Sequence, residues 1–295
     1  LVHSAAMIEA AITGVDHSII GVADLEAARA AYQAMGFTMT PRGRHIGWST
    51  ANYCIMFERD YIELLGIVEP DGYSAGLDAI LVEKGEGLLK LALRSKDAAR
   101  THEFFENRSL ITEPVKELAR KLEAPEGTVL PKFRLVHPKP AATPGLASFV
   151  CQHLTPKMVW RPQWYQHRNT ATRVRSYAIL ADDPSALAEG WVRIFGVGAV
   201  SRDGAWLSVE TGAARLDFLP WDELPAAFSD VEFARPQAGQ ILGMTISVTD
   251  LVETAVCLAE AEVACMRTDE GITVLPESAR GLAISFVQEG RPGRH

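Results

Sequence analysis

Two side chains of the 295-residue chain combine a reactive type with an apolar setting. His17 stands in GVDHSIIGV, residues 14–22, a β-rich stretch. Strand alternation places it on one face with Val15 and Ile19, so its imidazole points into an apolar interior. Glu63 stands in YIELLGIV, residues 61–68, the lone carboxylate of a strand that is apolar on both faces. A buried carboxylate requires a partner. A metal cation is one such partner and a buried Arg or Lys is the other, and spacing alone leaves both open. His45 lies in GRHIGWSTANY, a polar, glycine-bearing strand entry. It lines a pocket together with Trp48 and Asn52, or it organises a turn.

Other chemistries are absent from the sequence. There is no glycine-rich phosphate loop, no GxSxG elbow and no HExxH helix. IFGVGAV contains GxG but follows a helix instead of opening one, which removes a dinucleotide fold. The formal net charge of −8 argues against nucleic acid as a partner. No run reaches the roughly 18 apolar residues of a membrane helix, and LVHSAAMIEA lacks the basic start and apolar centre of a secretory signal. A cytoplasmic protein with no membrane partner is expected, and the residues before Met7 read as a leftover of expression. The four cysteines, Cys54, Cys151, Cys257 and Cys265, show no CxxC spacing and read as reduced, buried thiols. His3, His102, His137 and His295 carry no signal.

The elements that must position His17 and Glu63 recur four times. GVDHSIIGVADLEAA (14–28) is echoed by ILGMTISVTDLVETA (241–255), with Gly243 in the place of His17. In the first unit Asp24 caps a helix with Leu25, Ala28, Tyr32 and Met35 on one face, Gly36 ends it, and strands are expected around FTMTPRG, HIGWSTANYCIMFE and YIELLGIV. The second unit opens with LLKLALRSKDAARTHEFFENRSL and closes through GTVLPKFRLVHP and LASFVCQHL, after a connecting helix in DGYSAGLDAILVEKGEG. In the third, Asp183 and Pro184 start the helix of RVRSYAILADDPSALAEGWVRIFG. The fold class is α+β, with four β-α-β-β-β units. One unit leaves a sheet face uncovered, so pairing into two half-barrel domains is the simplest closure. The domains are expected at residues 10–155 and 172–290, joined by an aromatic and basic linker at 156–171. Such a chain completes its own half-barrels and serves as monomer or homodimer.

Repeated β-α-β-β-β units with a histidine on the first strand and a glutamate on the last resemble the vicinal oxygen chelate superfamily of glyoxalases, extradiol dioxygenases and fosfomycin or bleomycin resistance proteins. GVDHSIIGVADLEAARAAYQAMGF, RHIGWSTANYCIMF, YIELLGI and QHLTPKMVWRPQW are similar more narrowly to its glyoxalase-like domain group. The resemblance implies glyoxalase-like half-barrels with metal ligands on first and last strands. Those are His17, Glu63 and, from the last strand of the second unit, His153, a two-histidine, one-carboxylate set suited to one divalent Fe, Mn or Zn ion. Lys90 stands opposite His17 in the second unit and departs from the family's four-position pattern. Glu63 is the expected proton carrier, His45 a supporting acid or base, and Trp48, Asn52, Gln152 and Trp160 the substrate pocket. Trp164 and His167 form a lid or pack between domains. The counterparts of His17 in the C-terminal half are Ser176 and Gly243, and those of Glu63 are about Asp217 and Ser285, so that half is expected to be chemically silent. The implied function is a metal-dependent lyase or isomerase acting on a small oxygen-chelating substrate. The alternatives are an extradiol-type ring-cleaving dioxygenase and a non-catalytic small-ligand binder of the resistance type.

Overall fold

The computed structural model describes residues 10–111, 113–233 and 237–290. The expected expression remnant, with His3, and the terminal His295 lie outside these residues. In the first unit β1 (Ile12–Val22) runs into α1 (Leu25–Ala34), where the Asp24 carboxylate accepts from Ala27 N at 2.9 Å. Leu25, Ala28 and Tyr32 form its buried face, and Gly36 leaves the helix at φ +90°, a left-handed turn open to glycine. Three strands follow, β2 (Gly43–His45), β3 (Thr50–Met56) and β4 (Tyr61–Ile67). The expected strand at FTMT is irregular chain tethered to β3 by Thr40 N donating to Cys54 O at 2.8 Å.

The connecting helix α2 (Leu77–Lys84) leads to the second unit: β5 (Gly87–Ser95), α3 (Ala98–Glu106), β6 (Lys116–Ala124), β7 (Gly127–Val129), β8 (Lys132–Val136) and β9 (Ser148–His153). KELARKLEA is rich in helix formers but becomes β6, because its alternate residues Leu118, Arg120 and Leu122 face inward while its backbone pairs with both β8 and β2. A short helix α4 (Pro156–Val159) begins the connection to the C-terminal half. That half comprises β10 (Ala171–Leu180), α5 (Ala188–Phe195), β11 (Val200–Asp203), β12 (Trp206–Glu210), β13 (Arg215–Leu219), β14 (Ile241–Val248), α6 (Leu251–Glu260), β15 (Cys265–Arg267), β16 (Gly271–Val274) and β17 (Ala283–Gln288). Asp183 and Pro184 start the third helix as expected, with one 3-10 turn preceding α5. Among the described residues no helix is long and apolar enough to cross a membrane.

The strands form two sheets, β2-β3-β4-β1-β5-β9-β8-β6-β7 and β11-β12-β13-β10-β14-β17-β16-β15. An additional β2–β6 pairing, with Gly43 opposite Leu122 and His45 opposite Arg120, turns the first sheet into a ring with β7 appended. The N-terminal half-barrel is therefore closed. Closure removes both edges and leaves an interior that only side chains or a ligand can fill.

One irregularity decides what faces that interior. Val15 pairs with Leu93 and His17 with Ala92, so β1 has one extra residue, Asp16, against β5. This bulge breaks the alternation that would put Val15, His17 and Ile19 on one face. Val15 packs in the large core outside the barrel, whereas Ile19 packs inside, and the expectation that the three share a face is wrong for Val15. The same slip recurs in β10, where Val174 pairs with Ile246 and Ser176 with Thr245, leaving Arg175 as the extra residue.

The large core crosses both halves, from Val15 and Tyr32 to Tyr177, Trp191 and Phe286. The two halves thus share their main core. Three of the four cysteines are buried as free thiols, and Cys265 is exposed.

Asp60, between β3 and β4, is 2% exposed and accepts from Val174 N of the other half at 3.4 Å. Burial pushes its carboxyl up to about 7, above an ordinary 3.8. The folded state therefore binds this proton more tightly than the unfolded chain, and its stability falls as pH rises from about 4 to about 7. Asp60→Asn, which keeps an acceptor for Val174 N, should be more stable than the parent near pH 8, by up to about 4 kcal/mol, and nearly equal to it near pH 4. Urea unfolding at the two pH values measures the difference, and a gain of equal size at both would refute it.

Candidate active site

The ring encloses a cavity of about 90 Å3. His17 enters it from β1 and Glu63 from β4. Residue pairing puts Ile19 opposite Glu63, one inward step from His17, so parallel β1 and β4 bring imidazole and carboxylate together. The Tyr61 ring stacks on His17 at 4.4 Å and 14°, and Phe149 meets it edge-on at 5.7 Å. The imidazole plane is thereby fixed. Its Nδ1 lies 2.7 Å from Asp16 Oδ1, and its Nε2 faces Glu63 Oε2 at 3.6 Å.

Glu63 is 5% exposed. Its Oε1 accepts from Asn52 Nδ2 at 2.6 Å and lies 3.9 Å from His45 Nε2. His45 is in turn held through Nδ1 by Thr50 Oγ1 at 2.9 Å. Burial would raise the Glu63 carboxyl, but His17, His45 and Arg120, with the Asn52 hydrogen bond, hold it below the ordinary range. Burial lowers His45, which stays neutral near pH 7. Two imidazoles therefore present Nε2 to one ionised carboxylate, each with its Nδ1 anchored elsewhere.

His153 occupies a different place from the one expected. Register equates Lys90 with His17 and then, through Ala92 opposite Phe149, equates Phe149 with Glu63. His153 lies four residues further along β9, and its Nε2 contacts Asp16 Oδ1 at 2.9 Å behind His17. His17, Glu63 and His153 thus do not converge. Among the described residues, the three ligand-type groups whose atoms lie within 4.8 Å of one another are Asp16, His17 and His153.

That second group has the distances of a hydrogen-bond network. Both imidazoles reach the same Asp16 oxygen, and Arg94 Nε takes the other at 2.7 Å. An ion would have to displace these direct contacts beside a guanidinium. His153 and His17 hold the buried Asp16 carboxyl well below the usual range despite the opposing effect of burial. Asp16 thereby orients His17 so that Nε2 faces the cavity, the arrangement that commonly supports a metal-ligating histidine.

The other expected pocket residues divide. Trp48 and Asn52 line the cavity, with Trp48 also bordering a groove on the outer surface. Gln152 turns away, accepting from Ala98 N and donating to Lys96 O, both at 3.0 Å, and so clamps the start of α3. Trp160 is not at the cavity but covers His153 at 4.6 Å and Tyr61 at 5.7 Å. With Val159 and Trp164 it closes the apolar cluster at that end of the barrel. His167 accepts from Thr38 N and donates to Met56 O, both at 3.0 Å, as a packing residue.

Sequence reasoning missed Arg120, His137, Asp16 and Arg94. Arg120 was legible as the inward member of the alternating Leu118, Arg120, Leu122. The other three have no such signal: Asp16 depends on the bulge, Arg94 on Asp16, and His137 on the stacking of its ring on Phe149.

In the C-terminal half the position matching this cavity is occupied by side chains. Phe228, with Ala227 and Val231, fills the corresponding interior. A Cβ on Gly243 would lie 3.0 Å from Phe228 Cζ and 2.6 Å from Ala283 O, so the counterpart of His17 has no room for a side chain. Asp217 is bound by Ser208 Oγ at 2.7 Å and Arg215 Nη2 at 2.9 Å.

Asp16→Asn should destabilise the protein by about 3 kcal/mol or more at neutral pH, because it strands Arg94 and two imidazole nitrogens around a neutral amide. Denaturant unfolding tests this, and a loss under about 1 kcal/mol would contradict the assigned network.

Comparison with known proteins agrees with the architecture. The family described as glyoxalase-like domain matches residues 15–195. No curated protein matches the chain. A hypothetical protein from Staphylococcus aureus superposes with a TM-score of 0.66 at 12% identity, covering 93% of this chain and 98% of its own. A triple mutant of 4-hydroxymandelate synthase from Streptomyces coelicolor gives 0.54 at 13% identity over 96% and 94%. A xylose isomerase-like TIM barrel/4-hydroxyphenylpyruvate dioxygenase fusion protein gives 0.52 at 14% identity, over 97% of this chain and 50% of that one. These likenesses speak to the fold. With a family match over more than half its length, and with the paired β-α-β-β-β units that carry it, the chain belongs to the glyoxalase-like domain family.

Proposed function

We propose that the protein is a metal-dependent enzyme of the vicinal oxygen chelate type, lyase- or isomerase-like, acting on a small molecule inside the N-terminal barrel. One observation carries this reading. Glu63 is an ionised, buried carboxylate facing two anchored imidazoles at 3.6 and 3.9 Å, and among the described residues it makes no ion pair with Lys or Arg. Ligands of one ion, each about 2.1 Å from it, stand about 3.0–3.4 Å apart. The two imidazoles face different oxygens of Glu63, so a divalent cation would draw the three groups together, with His17 and His45 offering Nε2, Glu63 its carboxylate and the cavity the open positions. His45 thus takes the role that sequence reasoning gave to His153.

When bound, such a cation supplies Lewis-acid polarisation of neighbouring substrate oxygens. The chain's own residues do the rest. Asp16 and Thr50 fix the ring orientations of His17 and His45, and Asn52 holds Glu63 Oε1, leaving Oε2 as the atom that takes or returns a proton at the substrate. Ile19, Phe133, Phe149 and Leu135 exclude water from around it.

Metal content of untagged protein by mass spectrometry tests the reading. About one equivalent per chain is expected, lost in His17→Ala, His45→Ala and Glu63→Gln with circular dichroism unchanged, and retained in His153→Ala. Loss in His153→Ala with retention in His45→Ala would move the site to Asp16. No uptake after anaerobic loading with iron, manganese or zinc would end the metal-enzyme reading.

A further inference from the structure

Arg120 is 3% exposed and lines the cavity from β6. A guanidinium has five N–H donors and does not deprotonate in proteins. Here, among the described residues, the side chain donates to Cys54 Sγ at 3.3 Å, lies 5.8 Å from the Phe133 ring centroid, makes no ion pair, and leaves Nε without a partner. A buried cation so poorly satisfied is expensive unless an anion joins it.

A second cation faces the same space. Lys90 enters from β5 with its Nζ 5.5 Å from the Phe149 ring centroid. It occupies the position equivalent to His17, and Phe149 the position equivalent to Glu63. His137, stacked on Phe149 at 6.0 Å, adds a buried Nδ1 with no partner among the described residues. Against Arg120 and Lys90 the cavity lining offers one carboxylate, Glu63, which is engaged with His17, His45 and Asn52. The lining thus has an excess of positive charge, with Arg120 Nε and His137 Nδ1 lacking partners among the described residues. The remaining walls are apolar or aromatic, and about 90 Å3 is less than an engineered cavity that takes benzene.

We infer that the barrel cavity contains a carboxylate subsite, formed by the Arg120 guanidinium and the Lys90 ammonium, which selects small carboxylates with a short, branched apolar body. The inference deepens the function proposed above by naming the charge of its substrate, but the subsite stands on Arg120 and Lys90 and needs no metal. A carboxylate there satisfies the orphaned donors, while the body of the molecule extends along the apolar walls toward His17 and Glu63.

Isobutyrate and its neutral isostere isobutyramide are the probes, with inorganic phosphate beside them, and binding is read by ligand-observed NMR on the full chain. The protein is used as purified and again after chelator treatment. Isobutyrate should bind about tenfold or more tighter than the amide in both preparations, and Lys90→Met and Arg120→Met should each remove most of that preference. Should Arg120→Met fail to fold, Lys90→Met decides alone. Equal binding of acid and amide, no binding of either, or a preference untouched by Lys90→Met overturns the inference. A preference that vanishes with the chelator also overturns it, because the metal then binds the carboxylate, and that result would support the metal reading. Phosphate bound as tightly as isobutyrate would overturn the assignment to carboxylates. A preference that survives in a protein found to hold no metal sustains the subsite while the metal reading falls.

Discussion

The interior of the N-terminal barrel depends on one extra residue in β1. Without the bulge at Asp16, alternation would send this carboxylate out of the barrel whenever His17 points in. With it, Asp16 lies at zero exposure behind His17, bonded by two imidazoles and by Arg94. Each partner comes from a different strand: His17 from β1, Arg94 from β5 and His153 from β9. The carboxylate therefore ties three adjacent strands together and sets the ring of His17 with Nε2 toward the cavity. An unpartnered charge at that depth would be intolerable, so the network is obligatory once the bulge exists.

The difference between the two halves follows from what fills each interior. The N-terminal sheet closes through β2 and β6, and its space is left to polar side chains and a cavity. Among the described residues the C-terminal sheet has no equivalent closing pair, and the segment carrying Phe228 enters its interior. Gly243 and Phe228 are complementary: the ring takes the volume that a histidine at 243 would need. The loss of the imidazole in the fourth unit is thus a packing solution as well as a loss of chemistry. Both halves retain the same bulge, so the repeated backbone persisted where the repeated chemistry did not.

Much of this was legible in the sequence. The strand-to-helix junctions at Asp24, Asp97, Asp183 and Asp250 are capped as their patterns require, and equal spacing from these caps equates His17 with Lys90, Ser176 and Gly243. Glu63 was marked by its isolation among apolar residues. His153 is not the positional match of Glu63, because a strand end cannot be aligned without its pairing register: the β5–β9 ladder puts Phe149, four residues earlier, in that place, while His153 stands with Asp16 and His17. KELARKLEA hid a strand because exposed Lys and Glu on its outer face give it helical composition, whereas tertiary pairing fixed its state. Gln152 was read as the neighbour of His153 and Trp160 as a linker aromatic over the site, yet one turns outward to α3 and the other closes the end of the barrel.

Barrel closure also explains why charge is distributed as it is. The seam sets His45 directly opposite Arg120, so one strand pair delivers a neutral nitrogen and a permanent cation to the same cavity. His45 turns its Nε2 to Glu63, whereas Arg120 reaches Cys54, the residue paired with Glu63 across β3 and β4. The carboxylate is thus flanked by its imidazoles on one side and kept out of ion-pair range of the guanidinium. Had Arg120 reached Glu63, the two would have neutralised each other, leaving an inert pair like the partly buried one that Arg215 and Asp217 form in the other half. Holding them apart in a poorly hydrated space preserves a negative pole and a positive pole within one small cavity. On the function proposed above, such a cavity is preorganised for a ligand that carries both an anionic group and oxygens able to meet a cation.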